Sequence, residues 1–223
     1  MDPNFWHQRW ERNDIAFHEK AGNPLLVKHF SDLSLPKGAR VFVPLCGKTH
    51  DIHWLLHNGY RVAGAELSPI AVQQLFDDLK IEPTITAAGP SQHYRAEGID
   101  IFRGDLFALT RETLGPVDAV YDRAALVALP EAMRRRYATH LLEITDKAPQ
   151  LLIVFEYDQN QLEGPPFSIS DREVKELYGG SYDLNFLEGA EVSGGLKGKC
   201  VATEKVWRLA VTTSHEPAVP SKG

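Results

Sequence analysis

A carboxylate that ends a predicted strand, about twenty residues after a glycine turn, points most directly to chemistry in this chain. The segment Val41-Phe-Val-Pro-Leu-Cys-Gly-Lys-Thr49 predicts a buried strand followed by a turn, and Val62-Ala-Gly-Ala-Glu66 predicts a second strand that ends in an acid. In nucleoside-binding α/β folds, an acid at the tip of the second strand binds the ribose hydroxyls. Glu66 is therefore a candidate ribose ligand.

The turn lacks the glycines that a phosphate-binding site needs. Gly47-Lys48-Thr49 is similar to the end of a P-loop, but Phe42 stands where that motif requires its first glycine. A dinucleotide site needs the pattern G-x-G-x-x-G, and this turn offers only Gly47. The expected ligand therefore has a ribose and an adenine but no phosphate. S-adenosylmethionine fits that description better than NAD or ATP.

The elements that must position these residues follow from apolar periodicity and helix-capping residues. Helices are predicted at 5–13, 23–33, 51–58, 68–79, 130–142 and 170–178. Strands are predicted at 40–45, 61–67, 99–103, 119–121 and 151–157, followed by an antiparallel pair at 182–187 and 201–211. The polar segment 83–98 is predicted to be a loop over the site.

This alternation predicts an α/β fold with a doubly wound, mostly parallel seven-stranded sheet that has an antiparallel edge. Ligands bind such sheets outside the carboxyl ends of the strands. Those ends carry Leu45-Cys46, Glu66, Asp105-Leu106 and Asp122-Arg123. The candidate site therefore lies where these four groups meet.

The composition is that of an ordinary globular protein. The chain has 223 residues, of which 43% are hydrophobic and 24% are charged, and its net charge is −6. We expect one domain over 1–223, with an N-terminal helical lid at about 1–35 and a flexible tail at 214–223. The negative charge argues against a nucleic-acid partner. No apolar stretch approaches the roughly 18 residues of a membrane helix.

The cellular location is inferred from signals that the sequence lacks. The first residues show no basic region followed by an apolar one, as a secretory signal would. The two cysteines, Cys46 and Cys200, give no disulfide framework. We therefore expect a cytoplasmic protein that acts as a monomer on a small molecule.

Several segments, taken together over about residues 5–207, resemble thiopurine S-methyltransferases, with a composition similar to that of the bacterial members. The segments are Phe5-Trp6-His-Gln-Arg-Trp10, Phe17-His18, Val41-Phe-Val-Pro-Leu-Cys-Gly-Lys48, Gly64-Ala-Glu-Leu-Ser68 and Tyr121-Asp-Arg-Ala-Ala-Leu126. The resemblance implies the fold of class I S-adenosylmethionine-dependent methyltransferases, which is Rossmann-like. It implies methyl transfer to the sulfur of aromatic or heterocyclic thiols, activity on selenium or tellurium compounds, and a role in metalloid resistance.

The resemblance also implies roles for single residues. The methyl donor would be contacted by Trp10, Leu45, Glu66, Asp105, Leu106 and Arg123, and the acceptor by Phe17 and Arg123. Arg123 would position the acceptor and stabilise its thiolate. No general base is assigned, because an aromatic thiol is acidic, and no metal is expected. Mammalian members have a second acceptor arginine, whereas this chain offers only Lys197 and Lys199 in the corresponding segment.

Structural interpretations stand beside these functional ones. Glu66 could cap the helix that begins after Ser68, and Arg123 could form an ion pair with Asp122. Trp6 and Trp10, one helical turn apart, could be core residues.

For two further clusters of residues, we favour a solvated surface over a functional site. His50, His53 and His57 share a helical face at a spacing that could bind a metal, but no carboxylate or cysteine clusters with them. The basic run 134–136 is interpreted as a solvated helix face.

Two functions from other classes remain open. One is a small-molecule O- or N-methyltransferase on the same fold. The other is a non-catalytic protein that binds a nucleoside. The identity of the methylated atom distinguishes the first alternative, and the absence of turnover with every thiol identifies the second.

Overall fold

The computed structural model describes residues 3–14 and 22–212 of the chain. The α-helices in this part are α1 (Pro3–Glu11), α2 (Pro24–His29), α3 (His50–His57), α4 (Pro69–Leu79), α5 (Arg111–Leu114), α6 (Glu131–Ile144) and α7 (Asp171–Tyr178). Short 3₁₀ helices occur at Phe30–Leu33, Leu106–Ala108 and Leu126–Ala128. Phe17, predicted to contact the acceptor, and the predicted tail lie outside the described residues.

All the strands of the described residues belong to one sheet. They are β1 (Arg40–Pro44), β2 (Arg61–Glu66), β3 (Thr84–Ala88), β4 (Ser91–Ala96), β5 (Ile99–Arg103), β6 (Ala119–Asp122), β7 (Gln150–Tyr157), β8 (Tyr182–Glu191) and β9 (Ala202–Val211). Their order is β3-β4-β5-β2-β1-β6-β7-β9-β8. The strands β5, β2, β1, β6 and β7 run parallel, and each edge adds two antiparallel strands.

The α/β class and the mostly parallel sheet are as predicted, but the strand count and one edge were wrong. The described sheet has 9 strands rather than seven, because segment 83–98 is a β-hairpin and not a loop over the site. β4 pairs antiparallel with β5, and β3 pairs with β4. β3 is almost wholly exposed, so it lacks the apolar alternation by which strands are recognised.

Hydrophobic cores cover both faces of the sheet, which explains the continuous apolar runs of the central strands. On one face, Tyr137 and Leu141 of α6 pack with Val174 of α7. On the other face, Leu55 of α3 packs with Leu75 of α4 and with residues of α2. These helices leave the carboxyl ends of the parallel strands accessible.

Local signals explain where several helices begin. The side chain of Asn23 accepts hydrogen bonds from the backbone N–H groups at the start of α2, and Ser68 and Ser170 cap α4 and α7 in the same way. The interpretation of 134–136 as a solvated face was wrong for Arg134. This buried side chain donates to the Leu129 carbonyl at 2.9 Å and pairs with Glu173 at 2.7 Å. Among residues 3–14 and 22–212, no helix has the length and apolarity to cross a membrane.

Candidate functional site

A cavity of about 550 Å³ lies at the carboxyl ends of the parallel strands. Six of the seven residues predicted to contact donor or acceptor line it: Trp10, Leu45, Glu66, Asp105, Leu106 and Arg123. They come from α1 and from the carboxyl ends of four different strands or the residues just after them. The fold therefore brings together residues that are far apart in the sequence, as expected for a site at this edge of the sheet.

The turn after β1 forms the floor of the cavity. Leu45 has a φ of 46°, which is rare for a residue with a side chain, and Gly47 has a φ of 51°. The Cys46 amide donates to the Ala65 carbonyl at 3.0 Å and ties the turn to β2. A Cβ atom at Gly47 would lie 3.2 Å from the Trp10 ring, so the glycine lets the indole pack closely on the backbone. Backbone strain of this kind is typical of functional sites.

Glu66 ends β2 at the wall of the cavity and is only 6% exposed. Its Oε2 accepts a hydrogen bond from the Gly47 amide at 2.8 Å, and its Oε1 accepts one from the Ser68 amide at 2.7 Å. Each carboxylate oxygen can accept a second hydrogen bond. Burial raises the pKa of Glu66, although these backbone hydrogen bonds lower it in part.

The structural alternative for Glu66 describes part of this arrangement. The carboxylate does bond to the backbone before α4, but the N-cap of α4 is Ser68, whose Oγ accepts from the Ala71 amide at 3.3 Å. Glu66 instead joins the ends of two neighbouring segments and keeps acceptor capacity toward the cavity.

The segment after β5 forms an apolar wall. Asp105 accepts a hydrogen bond from the Phe107 amide at 3.0 Å and so caps the short 3₁₀ helix. The Leu106 carbonyl lies 2.8 Å from Nε2 of His140, and the Arg136 guanidinium lies over the Phe107 ring, 4.1 Å from its centroid. Two residues of α6 therefore contact this wall and support it.

Asp122 supports the turn that carries Arg123. Its carboxylate is buried and accepts hydrogen bonds from the Ala125 amide at 3.1 Å, the Leu126 amide at 3.2 Å and the Tyr137 hydroxyl at 2.6 Å. Burial raises the pKa of Asp122 to about 6. While Asp122 is directed into the core, Arg123 lines the cavity.

The opposite wall contains residues that sequence reasoning missed. They come from β7, from the loop after it, from the segment between β8 and β9, and from β9: Phe155, Pro165, Pro166, Val192, Leu196, Lys197 and Glu204. Lys197 alone carried a signal, because it is one of two cations in a segment otherwise poor in them. Its Nζ donates to the Pro165 carbonyl at 2.7 Å. Burial lowers the pKa of Lys197, and the charge of Arg9 lowers it further.

The histidines of α3 lie outside the lining of this cavity. The rings of His50 and His53 are 4.9 Å apart, and His57 is exposed. Within the described ranges 3–14 and 22–212, no group of three His, Cys, Asp or Glu residues could hold a metal ion. His50 and His53 are half-buried, so the interpretation as a solvated face holds only for His57.

Comparisons with known proteins agree on one family. The family profile described as Thiopurine S-methyltransferase matches residues 1–210. A thiopurine S-methyltransferase of Xanthobacter autotrophicus is 59% identical over 210 residues, which cover 94% of this chain and 99% of the relative. One of Gluconobacter oxydans is 50% identical over 206 residues, covering 92% and 94%.

Solved structures show the same fold at much lower identity. A 1,6-didemethyltoxoflavin-N1-methyltransferase of Burkholderia thailandensis, determined with its substrate and S-adenosylhomocysteine, superposes with a TM-score of 0.63. It is 15% identical, and the match covers 93% of this chain and 87% of that one. The fold is therefore that of S-adenosylmethionine-dependent methyltransferases.

Proposed function

Because this chain belongs to the thiopurine S-methyltransferase family, we propose that its cavity transfers the methyl group of S-adenosylmethionine to the sulfur of aromatic and heterocyclic thiols, thiopurines included. One observation carries this proposal. Six residues that the sequence associates with donor and acceptor, on separate elements, line the same cavity.

The donor fits the side of the cavity formed by the ends of β1, β2 and β5. Glu66 has free acceptor positions for two ribose hydroxyls, and the apolar wall of Leu106 and Phe107 offers a flat surface for an adenine. Trp10 closes this side from α1. The bound donor supplies a sulfonium with an electrophilic methyl carbon.

The acceptor would occupy the side that faces β7 and β9. Methyl transfer is an in-line displacement, so alignment of the two sulfurs and exclusion of water are the main requirements. The wall is largely apolar there, with Val127, Met133 and Phe155 among its residues. Such a wall suits an aromatic ring and keeps the reacting atoms dry.

Arg123 lies in the lining at the carboxyl end of β6, between these two sides. A guanidinium can hydrogen-bond a thiolate or a ring nitrogen with fixed geometry. We assign it the positioning of the acceptor and the stabilisation of its negative charge. The turn held by Asp122 keeps the Arg123 backbone in place for this task.

The test is a methyl-transfer assay with donor labelled in its methyl group. A panel would contain 6-mercaptopurine, 4-nitrothiophenol, a selenol, tellurite, a phenol and an aromatic amine, and mass spectrometry would locate the methyl group. The proposal expects label on sulfur of the two thiols. Label only on oxygen or nitrogen would contradict it, and binding of the donor without any transfer would indicate a non-catalytic protein.

Other expectations from the sequence stay predictions. They are a monomeric state, a single domain with an N-terminal lid, location in the cytoplasm, and methylation of selenium or tellurium compounds with a role in metalloid resistance. The chemistry of the cavity supports only the last group, since selenium and tellurium nucleophiles follow the same displacement as sulfur.

A further inference from the structure

Glu204 is a carboxylate in the cavity to which the methyl-transfer chemistry described so far gives no task. It lies on β9, where it is paired in register with Phe155 of β7 on one side and Ala190 of β8 on the other. The residue is half-buried, and it lines the same cavity as Arg123. Its position is on the side of the cavity assigned to the acceptor.

The surroundings of Glu204 hold the carboxylate in place. Its Oε1 accepts a hydrogen bond from Nδ2 of Asn23 at 3.3 Å. The backbone N–H of Asn23 donates to Asp51 Oδ1 at 2.6 Å, and Asp51 Oδ2 accepts from the buried Tyr121 hydroxyl at 2.9 Å. Burial and the nearby Asp51 raise the pKa of Tyr121, and the charges of Arg123 and Glu204 also reach it, in opposite directions. Besides Arg123, the cation Lys197 lines the acceptor side of the cavity.

Heterocyclic thiols differ from simple aromatic thiols in where their proton lies. A thiophenol loses its S–H proton readily and reacts as a thiolate. A thiopurine exists largely as a thione, whose proton is on a ring nitrogen next to the carbon that bears sulfur. Methylation of the thione sulfur therefore leaves a ring N–H proton that must depart. A carboxylate that accepts a hydrogen bond from this N–H would both orient the ring and remove the proton.

We propose that Glu204 is the general base for heterocyclic thione acceptors, a step that rests on the proposed function. The acceptor sulfur forms a bond to the methyl carbon, and the bond from that carbon to the donor sulfur breaks, leaving its electron pair on the donor as a thioether. The ring N–H proton moves to the Glu204 carboxylate, and the ring nitrogen keeps its electron pair. The products are a neutral S-methyl heterocycle, S-adenosylhomocysteine and a protonated Glu204 that later loses its proton to water.

The test compares two acceptors in the same preparation of each variant. 6-Mercaptopurine has a ring N–H to lose, and 4-nitrothiophenol is already a thiolate at neutral pH. Glu204→Gln is expected to lower kcat/KM for 6-mercaptopurine by about 100-fold or more, as loss of a general base does, and to change that for 4-nitrothiophenol by less than about threefold. The ratio of the two rates does not depend on the folded fraction. Glu204→Asp keeps a carboxylate and is expected to show a smaller selective loss.

The pH dependence provides a readout that a structural role would not change. Above the pKa of the free thione, 6-mercaptopurine is an anion and needs no base, so the defect of Glu204→Gln should shrink there.

Glu188→Gln is the control variant. It removes a carboxylate on β8 that is bonded to Lys28 and His29 outside the cavity lining, and it should leave the ratio of the two rates unchanged. Equal losses on both acceptors, or no loss, would overturn the role of Glu204. A parent protein that methylates neither acceptor would contradict the proposed function itself.

Discussion

The two sides of the cavity are built in different ways. The donor side, formed by the turns after β1, β2 and β5, is held by short hydrogen bonds between a side chain and the backbone, such as those of Glu66 and Asp105. The acceptor side, formed by β7, β9 and the segments around Pro165 and Lys197, is held by contacts between distant parts of the chain. From this difference we expect donor binding and acceptor choice to be separable properties, which mutations should affect one at a time.

Apart from the Glu204 variants, Arg123→Ala should give the largest effect, because Arg123 lies between the two sides. Loss of a charge-assisted contact of about 2–3 kcal/mol would lower kcat/KM for a thiopurine roughly 30- to 150-fold. Donor affinity should fall less. Arg123→Lys keeps the charge without the fork of the guanidinium and should fall in between. Single-turnover methylation and thermal unfolding of the same preparations measure the activity and the stability of each variant.

The alternative for Arg123 is an ion pair that serves stability. Under it, Arg123→Ala would have a lower Tm, and its activity per folded molecule would equal that of the parent. That result would remove Arg123 from the acceptor site and would place the boundary between the two sides elsewhere.

Glu66→Ala should affect the donor side alone. Charge-assisted hydrogen bonds to the ribose hydroxyls are worth about 1.5–3 kcal/mol each, so the affinity for S-adenosylhomocysteine should fall at least tenfold. Calorimetry with and without a chelator measures this and should show no effect of the chelator. Because the Gly47 and Ser68 amides lose their acceptor as well, Glu66→Gln is the control that keeps an oxygen at this place. A Glu66→Ala protein with the donor affinity of the parent would show that the ribose assignment is wrong.

Lys197→Met should affect the acceptor side alone and more weakly. Methionine retains the packing of the lysine stem but loses the hydrogen bond to the Pro165 carbonyl. A typical hydrogen bond contributes about 0.5–1.5 kcal/mol, so KM for the acceptor should rise about two- to tenfold with donor affinity unchanged. Lys199→Met is the matched control, because Lys199 is exposed like Lys197 but is absent from the cavity lining. Equal effects of the two variants would mean that Lys197 shapes no part of the acceptor side.

Asp122 should make the stability of the protein depend on pH. Its native pKa of about 6 exceeds the ordinary value of 3.8, so the native state binds a proton that the unfolded chain has released. The contribution of Asp122 to stability is therefore complete below about pH 4 and is lost as the pH rises through 6. Thermal unfolding from pH 4 to pH 7 should show the Tm of the parent falling relative to that of Asp122→Asn.

Asp100 gives a comparison of opposite sign at the other end of the sheet. Although burial alone would raise it, hydrogen bonds from His93 and Arg95 and the charge of Arg40 lower the pKa of Asp100. Its contribution is present above the ordinary carboxyl range and is lost as the pH falls through the lowered pKa. The Tm of the parent relative to Asp100→Asn should therefore fall at low pH. If the Tm of the parent relative to each Asn variant changed with pH in the same direction at Asp122 and at Asp100, the directions assigned to the two pKa shifts would be contradicted.

The part of the cavity lining that stands at strand ends could be predicted from the sequence, because the apolar pattern reveals those strands. Leu45, Glu66 and Arg123 are tied to the strand ends, and the rule for ligand sites in parallel sheets then brings them together. The lining contributed by β7 and β9 carries no such signal. Glu204 lies within an alternating strand, and its place in the cavity depends on the antiparallel pairing of β9 with β7, which the local pattern does not encode.

The hairpin of β3 and β4 shows the same limit in the fold. β3 is almost wholly exposed and β4 is only partly buried, so pairing with β5 and with each other, and not local propensity, makes them strands. Arg134 shows the limit for single side chains, because its burial depends on Glu173 of α7. For the hairpin the missing information is pairing with neighbouring strands, and for Arg134 it is a contact with a segment far away in the chain.

The most direct test of the two-sided cavity is a crystal structure of the protein with S-adenosylhomocysteine and 6-mercaptopurine bound together. The predicted result places the ribose hydroxyls on Glu66, the adenine against Leu106 and Phe107, and the mercaptopurine between Arg123 and Phe155, with its sulfur facing the donor sulfur. A ribose bound away from Glu66, or a mercaptopurine bound outside this cavity, would contradict the account.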